Sequence, residues 1–238
     1  MSLLLFSNST MPGAPYLAWT RLWLDPFLEG PGEILFLPYA AVDISYDEYT
    51  ARVNRGLDTD RMVGIHTIAD KPEAIARATY IVVGGGNTFS LLYRCQEEEL
   101  LGPIREAVAA GADYAGWSAG ANLACPTIKT TNDMPVDAPK GLDALGLIPF
   151  QINPHFVVED AQNHAGESRV QRINEFLIRN PDLSVLGMPE GSLLSVERSG
   201  YTLAGIGATW FQHGKEPVHL PPGDCIPSPK GLGRESVE

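Results

Sequence analysis

Five residues, Gly116-Trp117-Ser118-Ala119-Gly120, set one hydroxyl between two glycines where the apolar run "DYAGWS" gives way to the small-residue segment "AGANLA". The G-x-S-x-G spacing is that of a nucleophile elbow, a strained strand-to-helix turn that lifts a serine clear of a sheet. Glycines there remove the Cβ clashes that so sharp a turn would create. The same spacing serves an ordinary tight strand–helix join, so five residues alone leave both readings open. A serine nucleophile needs a base, usually histidine, oriented in turn by a carboxylate. His66 falls inside an expected buried strand, His213 and His219 lie near turns of a C-terminal β region, and His164 precedes a helix. His155 in "INPHF", just past an expected strand and beside the restricted backbone of Pro154, is the best-placed base. For the carboxylate, "TTNDMPVD" offers Asp133 and Asp137, and "MPEG" offers Glu190. Loop aspartates are commonly turn-formers or caps, so spacing leaves Asp133 and Glu190 level.

The run "VVGGGNTF" places Gly84, Gly85 and Gly86 between a strand and a helix. A phosphate cradle is one reading, but the Lys-Ser/Thr of a P-loop is missing and the spacing is not G-x-G-x-x-G. An oxyanion hole is another, with unhindered backbone N–H groups facing a developing negative charge. Beside an elbow serine that reading gains, and the Ala119 amide is the natural second donor.

These residues need a frame to hold them. "SLLLFS" (2–7), "EILFLPYA" (33–40), "MVGIHTI" (62–68), "YIVVGG" (80–85) and "DYAGWS" (113–118) have the unbroken apolar character of strands buried on both faces. Between them "YLAWTRLWLDPFLE", "YDEYTARVNRGL", "KPEAIARA" and "NTFSLLYRCQEEELLGPIREAVAAG" have helical spacing or length. Alternating β and α segments predict an α/β fold with a mostly parallel sheet and helices on both faces. "FQINPHF" (150–156) and "SVLGMPEG" (184–191) extend the pattern around the helical "GESRVQRINEFLIRN" (166–180). From Gly191 onward the texture becomes strand–turn–strand, a small antiparallel extension, and the Pro/Gly-rich segment from about 222 to 238 is expected to add little to the core. With no repeat and no long linker, residues 1–238 read as one domain. In an open parallel sheet, ligands bind beyond the carboxyl ends of the strands. Gly84–Asn87, Ser118, Asn153–His155 and Pro189–Gly191 all fall there.

Composition narrows the partners. The 238 residues carry a formal net charge of −12 and no Lys/Arg cluster, which argues against nucleic acid. No run approaches the ~20 apolar residues of a membrane span. The N-terminal "MSLLLFSNST" lacks the basic flank of a signal peptide and reads as a first strand. Cys95, Cys125 and Cys225 are odd in number and widely spaced, which fits a reducing cytoplasm better than a disulfide framework or a zinc site. An acidic substrate would need a local arginine to overcome the global charge.

The segments "SNST", "VGGGNTF", "GWSAGANLACPT", "TTNDMP", "INPHF", "GESR" and "PEG", in order from Ser7 to Gly191, resemble the peptidase E family of α-aspartyl dipeptidases. That resemblance implies a flavodoxin-like fold related to class I glutamine amidotransferases. It implies a serine peptidase without metal or cofactor, acting on dipeptides with N-terminal aspartate. Ser118 becomes the nucleophile, His155 the base and Asp133 the third member, with Glu190 its rival or else a neighbour of the substrate. Gly85, Gly86 and Ala119 supply the oxyanion hole. Arg169 in "GESR", otherwise a solvated helix-face residue like Arg172 and Arg179, becomes the reader of the aspartyl side chain, because a guanidinium grips a carboxylate through two parallel hydrogen bonds. Asn87 is expected against the substrate too. The implied partner is a small peptide, and the implied assembly a monomer or homodimer. A related hydrolase of β-aspartyl polymers, or a binding protein that keeps the pocket without turnover, are the competing expectations.

Overall fold

A computed structural model describes residues 1–157 and 166–226. The expected strands form as β1 (Leu3–Phe6), β2 (Ile34–Leu37), β3 (Met62–Gly64), β4 (Tyr80–Val83) and β5 (Asp113–Trp117). They lie side by side in the order β3-β2-β4-β5-β1, all parallel. Counting β2 as first, the progression is the 2-1-3-4 of flavodoxin, with β1 in the fifth place. Successive side chains of a strand face opposite ways. Leu3 and Leu5, Leu35 and Leu37, and Ile81 and Val83 thus enter one core, while Leu4 and Phe6, Ile34 and Phe36, and Tyr80 and Val82 enter another. Both faces being covered explains the unbroken apolar runs, and each large side chain so buried contributes about 1.5–3 kcal/mol.

Helices α1 (Arg21–Phe27) and α2 (Tyr46–Gly56) cover the second core. Helices α3 (Lys71–Arg77), α4 (Thr88–Glu97), α5 (Leu101–Ala110) and α6 (Ala119–Leu123) cover the first. Side chains start several of them: Ser45 caps α2, Asp70 caps α3 and Asn87 caps α4. The long helical stretch after Asn87 is two helices. Glu99 adopts a φ of 54°, and the Leu100 amide turns back to the Cys95 carbonyl, which seats Leu100 in the core.

The later strands depart from a single sheet. β6 (Gln151–Pro154) and β7 (Ser184–Met188) pair in parallel within a second, four-stranded sheet of order β11-β10-β7-β6. They cannot extend the first sheet beyond β1, because β8 (Ser192–Glu197) runs antiparallel along that edge, followed by β9 (Gly200–Gly205). The last strands, β10 (Ala208–Gln212) and β11 (Val218–Leu220), complete the second sheet. Helix α7 (Arg169–Arg179), started by a Ser168–Gln171 capping box, packs Ile173 and Leu177 on that sheet against Phe156, Val185 and Phe211. The chain therefore crosses between sheets at Pro189–Gly191.

Two local expectations change. His66 lies in a single 3-10 turn (Ile65–Thr67) rather than a strand, with Nε2 2.9 Å from Asp47 Oδ1. The segment after Pro221 adds to the core as far as Ile226, which is buried, because Asp224 O and Ile226 N bond the backbone of β9. Its remainder, 227–238, lies outside the described residues. Among the described residues no helix is long and apolar enough to cross a membrane.

Candidate active site

The elbow forms where β5 meets α6. Ser118 has φ 52° and ψ −108°, a conformation rare for any residue with a Cβ and one that stores roughly 1–3 kcal/mol. The flanking glycines explain how the turn can be so tight. A Cβ on Gly120 would sit 2.3 Å from the Val83 carbonyl oxygen, and one on Gly116 would sit 2.7 Å from the Gly120 backbone. Both obstacles are main chain and cannot swing away. The helix thus packs directly onto β4 and β5, and Ser118, just before its first residue, is held up at the sheet edge.

His155 leaves β6 with φ 52° as well. Its backbone N–H donates to Ser7 Oγ at 2.9 Å, and that hydroxyl donates to the Met188 carbonyl at 2.8 Å. Asn8 next door accepts the Gly191 amide at 2.8 Å. Both residues are buried at the carboxyl end of β1, so one short segment fixes the exits of β6 and β7 together. The imidazole then has Nε2 3.0 Å from Ser118 Oγ and Nδ1 2.8 Å from Glu190 Oε1. This is a serine–histidine–carboxylate relay lying open to solvent, His155 and Glu190 being 41% and 45% exposed.

The relay corrects the expectation for Asp133. Its Oδ2 accepts from the Thr88 amide at 2.8 Å and the Thr88 hydroxyl at 2.6 Å, with the Thr131 hydroxyl 3.0 Å away. Two donors of Thr88 tie Asp133 to the start of α4, whereas the inter-sheet crossing brings Glu190 to the histidine. Asp133 still lines the cavity of about 550 Å³ into which Ser118 and His155 face, and its Oδ1 has no partner among the described residues. Asn87 lines the same cavity. Its Oδ1 caps α4 through the Phe89 and Ser90 amides, and its Nδ2 donates to the Met134 carbonyl, so its side chain also secures the wall. Asp137 accepts from Ser90 Oγ, away from the relay.

The glycine loop fits an anion hole. Gly84 N–H is taken by Leu37 O and Asn87 N–H by Ala40 O, while the Gly85 and Gly86 amides have no acceptor among the described residues. Gly86 has φ 136°, and a Cβ there would lie 2.2 Å from Ala40 O, so only glycine fits. Ala119 is the first residue of α6, where a helix leaves its N–H without an internal acceptor.

Tyr49, on α2, aims this loop. Its hydroxyl donates to Gly85 O at 2.9 Å and accepts from Trp117 Nε1 at 3.2 Å. In a trans peptide the C=O and N–H point opposite ways, so holding Gly85 O turns the Gly86 N–H toward the other side of the loop. Burial pushes the Tyr49 phenol above its ordinary range and keeps it protonated as a donor. Tyr49→Phe should lower kcat roughly tenfold with little change in KM, because the donor is misaimed rather than removed. Unchanged kcat in steady-state kinetics would mean that the loop aims itself.

Arg169 stands apart from the Ser118 cavity. It borders an adjoining one of about 420 Å³, with Asn132, Asn153 and Arg172 in the same wall. Its Nη1 donates to Asn132 Oδ1, and Asn132 Nδ2 donates to the Pro154 carbonyl, so it reaches the His155 loop through one side chain. His213 and His219 are exposed in the C-terminal β region, and His164 lies outside the described residues. Sequence reasoning missed Ser7, Asn8, Tyr49 and Asn132. The first two had a signal, since "SNST" ends a strand at the ligand edge of the sheet. Among the described residues no group of three or more His, Cys, Asp or Glu is placed to hold a metal ion.

Known proteins resemble this chain over most of its length. The model of a family described as Peptidase family S51 matches residues 3–204. Proteins called peptidase E from Escherichia coli, including those of strains 536 and K12 / DH10B, are 47% identical over 226 residues, spanning 94% of this chain and 99% of theirs. Among solved structures, a putative peptidase E protein from Listeria monocytogenes EGD-e is 19% identical with a TM-score of 0.59, over 86% of this chain and 98% of its own. A peptidase from an acI-B1 Actinobacterium is 17% identical with a TM-score of 0.61, over 94% and 96%. At those identities the two structures speak for the fold.

Proposed function

The chain belongs to peptidase family S51, and we propose that Ser118, His155 and Glu190 are the triad by which it hydrolyses dipeptides with an N-terminal aspartate. The activity is the one that the name peptidase E denotes. The observation that carries the assignment of residues is the unbroken contact from Ser118 Oγ through His155 to Glu190 Oε1.

His155 Nε2 takes the Ser118 proton as Oγ attacks the carbonyl carbon of the aspartyl residue. The negative oxygen that forms is held by the Ala119 amide and the Gly86 or Gly85 amide, while Glu190 stabilises the imidazolium. His155 then protonates the leaving amine, the C–N bond breaks, and an aspartyl ester of Ser118 remains. Water enters, gives its proton to His155 and attacks the ester; Ser118 recovers its proton as aspartate departs. An exopeptidase must also recognise a free amine, and the unpartnered Oδ1 of Asp133 in the same cavity suits a substrate ammonium. Arg169 is the reader of the aspartyl side chain, held toward the His155 loop by Asn132. A cytoplasmic setting is the one that three free thiols suit, Cys95 and Cys125 buried and Cys225 exposed.

The test is leucine release from Asp-Leu, Asn-Leu and N-acetyl-Asp-Leu. Wild type should release leucine rapidly from Asp-Leu alone, and Arg169→Met should lose the preference over Asn-Leu, which is expected to be at least 100-fold. Equal rates on the acetylated substrate would remove Asp133 from amine recognition. Silence on all three would overturn the dipeptidase reading.

A further inference from the structure

A dipeptide ends in a second carboxylate, and nothing in the triad, the anion hole or the acyl pocket accounts for it. Arg52 does. Among the described residues that line the 550 Å³ cavity holding Ser118 and His155, Arg52 is the only lysine or arginine. It lies on α2 one turn after Tyr49, so the two share a face of the helix. Tyr49 is tied to Gly85 at the anion hole, Tyr16 OH lies 3.4 Å from Tyr49 OH, and the Arg52 guanidinium stacks over the Tyr16 ring at 4.3 Å. A stacked guanidinium keeps its in-plane N–H groups available at the edge. No carboxylate among the described residues pairs with it; the acids in the lining, Asp43 and Asp133, make no ion pair.

We propose that Arg52 forms, with the Tyr16 shelf beneath it, the subsite for the terminal carboxylate of the residue that leaves. This deepens, and rests on, the dipeptidase reading. The dipeptidase reading above assigns the acyl half of the substrate to Asp133 and Arg169, which stand on the 130–133 and α7 side. The wall left for the leaving residue is the one made by Tyr16, Ala41, Ile44 and Arg52. In a dipeptide the terminal carboxyl carbon is only three bonds beyond the scissile carbonyl carbon, so the cation must stand close to the anion hole, as the Tyr49–Tyr16–Arg52 series places it. A third residue would put an amide where the guanidinium expects a carboxylate. The arginine is thus a ruler for chain length and exempts longer peptides from attack.

The experiment compares kcat/KM for Asp-Leu, Asp-Leu amide and Asn-Leu in wild type, Arg52→Met and Arg55→Met. Arg55 lies on the same helix, exposed and outside the cavity lining, and controls for loss of a charge. Wild type and Arg55→Met should prefer the free acid over its amide by roughly tenfold, a modest ratio because Arg52 is exposed. In Arg52→Met that ratio should fall to about one while the preference for Asp-Leu over Asn-Leu persists. Collapse of the Asp-Leu to Asn-Leu ratio instead would make Arg52 the reader of the aspartyl side chain and overturn the proposal. Equal wild-type rates on acid and amide would overturn it too, with the dipeptidase reading intact. Failure of wild type on Asp-Leu itself would overturn both.

Discussion

Ser118→Ala is expected to lower kcat on Asp-Leu by roughly 10⁴–10⁶-fold with the fold unchanged, because the hydroxyl is the only group of the relay that forms a bond to substrate. Its loss removes no helix cap, since the Ser118 side chain makes no capping bond to α6. The stability consequence depends on the replacement. Alanine keeps a Cβ at φ 52° and ψ −108°, and so keeps the strain of the elbow. Ser118→Gly removes that Cβ and should be about 1 kcal/mol more stable than Ser118→Ala, after allowing for glycine's larger loss of chain entropy on folding. Chemical denaturation of the two inert variants measures the difference. Equal stability would show that the turn costs nothing, and the packing of Gly116 and Gly120 would then be the whole reason for the glycines. Leucine release by Ser118→Ala within tenfold of wild type would remove the serine from the chemistry.

The second large effect separates the two acids. Glu190→Gln should reduce kcat roughly 10²–10⁴-fold, since an amide at Nδ1 neither holds the imidazole in the useful tautomer nor stabilises its charged form. The range lies below that of a buried triad because water reaches the 45% exposed carboxylate and substitutes in part. Asp133→Asn should act differently. The amide oxygen can replace Oδ2 in front of the Thr88 donors, which turns the new NH₂ toward the cavity and toward a substrate ammonium. KM for Asp-Leu should then rise roughly tenfold or more, with a smaller change in kcat. Steady-state kinetics on both variants decides the matter. If Asp133→Asn loses kcat and Glu190→Gln only KM, the roles are exchanged.

The difference between these acids is also what the sequence could not disclose. Ser118, His155 and the glycines were legible because each sits where a strand ends, and strand ends in a parallel sheet share one edge. The partner of Nδ1 depends on something less local. β6 and β7 leave the main sheet, and only the return of the chain at Pro189–Gly191 brings Glu190 beside His155. Asp133 has as suggestive a setting in the sequence, yet Thr88 and Thr131 take it. Asn87 lines the cavity and also caps α4, a second role that its type favours and that its place before a helix could have disclosed. Tyr49 gave no signal at all, being a core aromatic on an amphipathic helix whose hydroxyl matters only once Gly85 is placed.

The clamp of Ser7 and Asn8 has a temporal side. It joins His155 and Gly191 to the first strand across sequence separations of 148 and 183 residues. Contacts that distant in the chain are entropically the slowest to close, and during synthesis the N-terminal elements precede their partners by many seconds. A nascent chain that already displays its elbow serine and its glycine loop therefore has neither base nor carboxylate. On the triad proposed above, hydrolytic competence is expected only once the second sheet has closed against the first strand, which would keep a half-made copy from digesting anything on the ribosome.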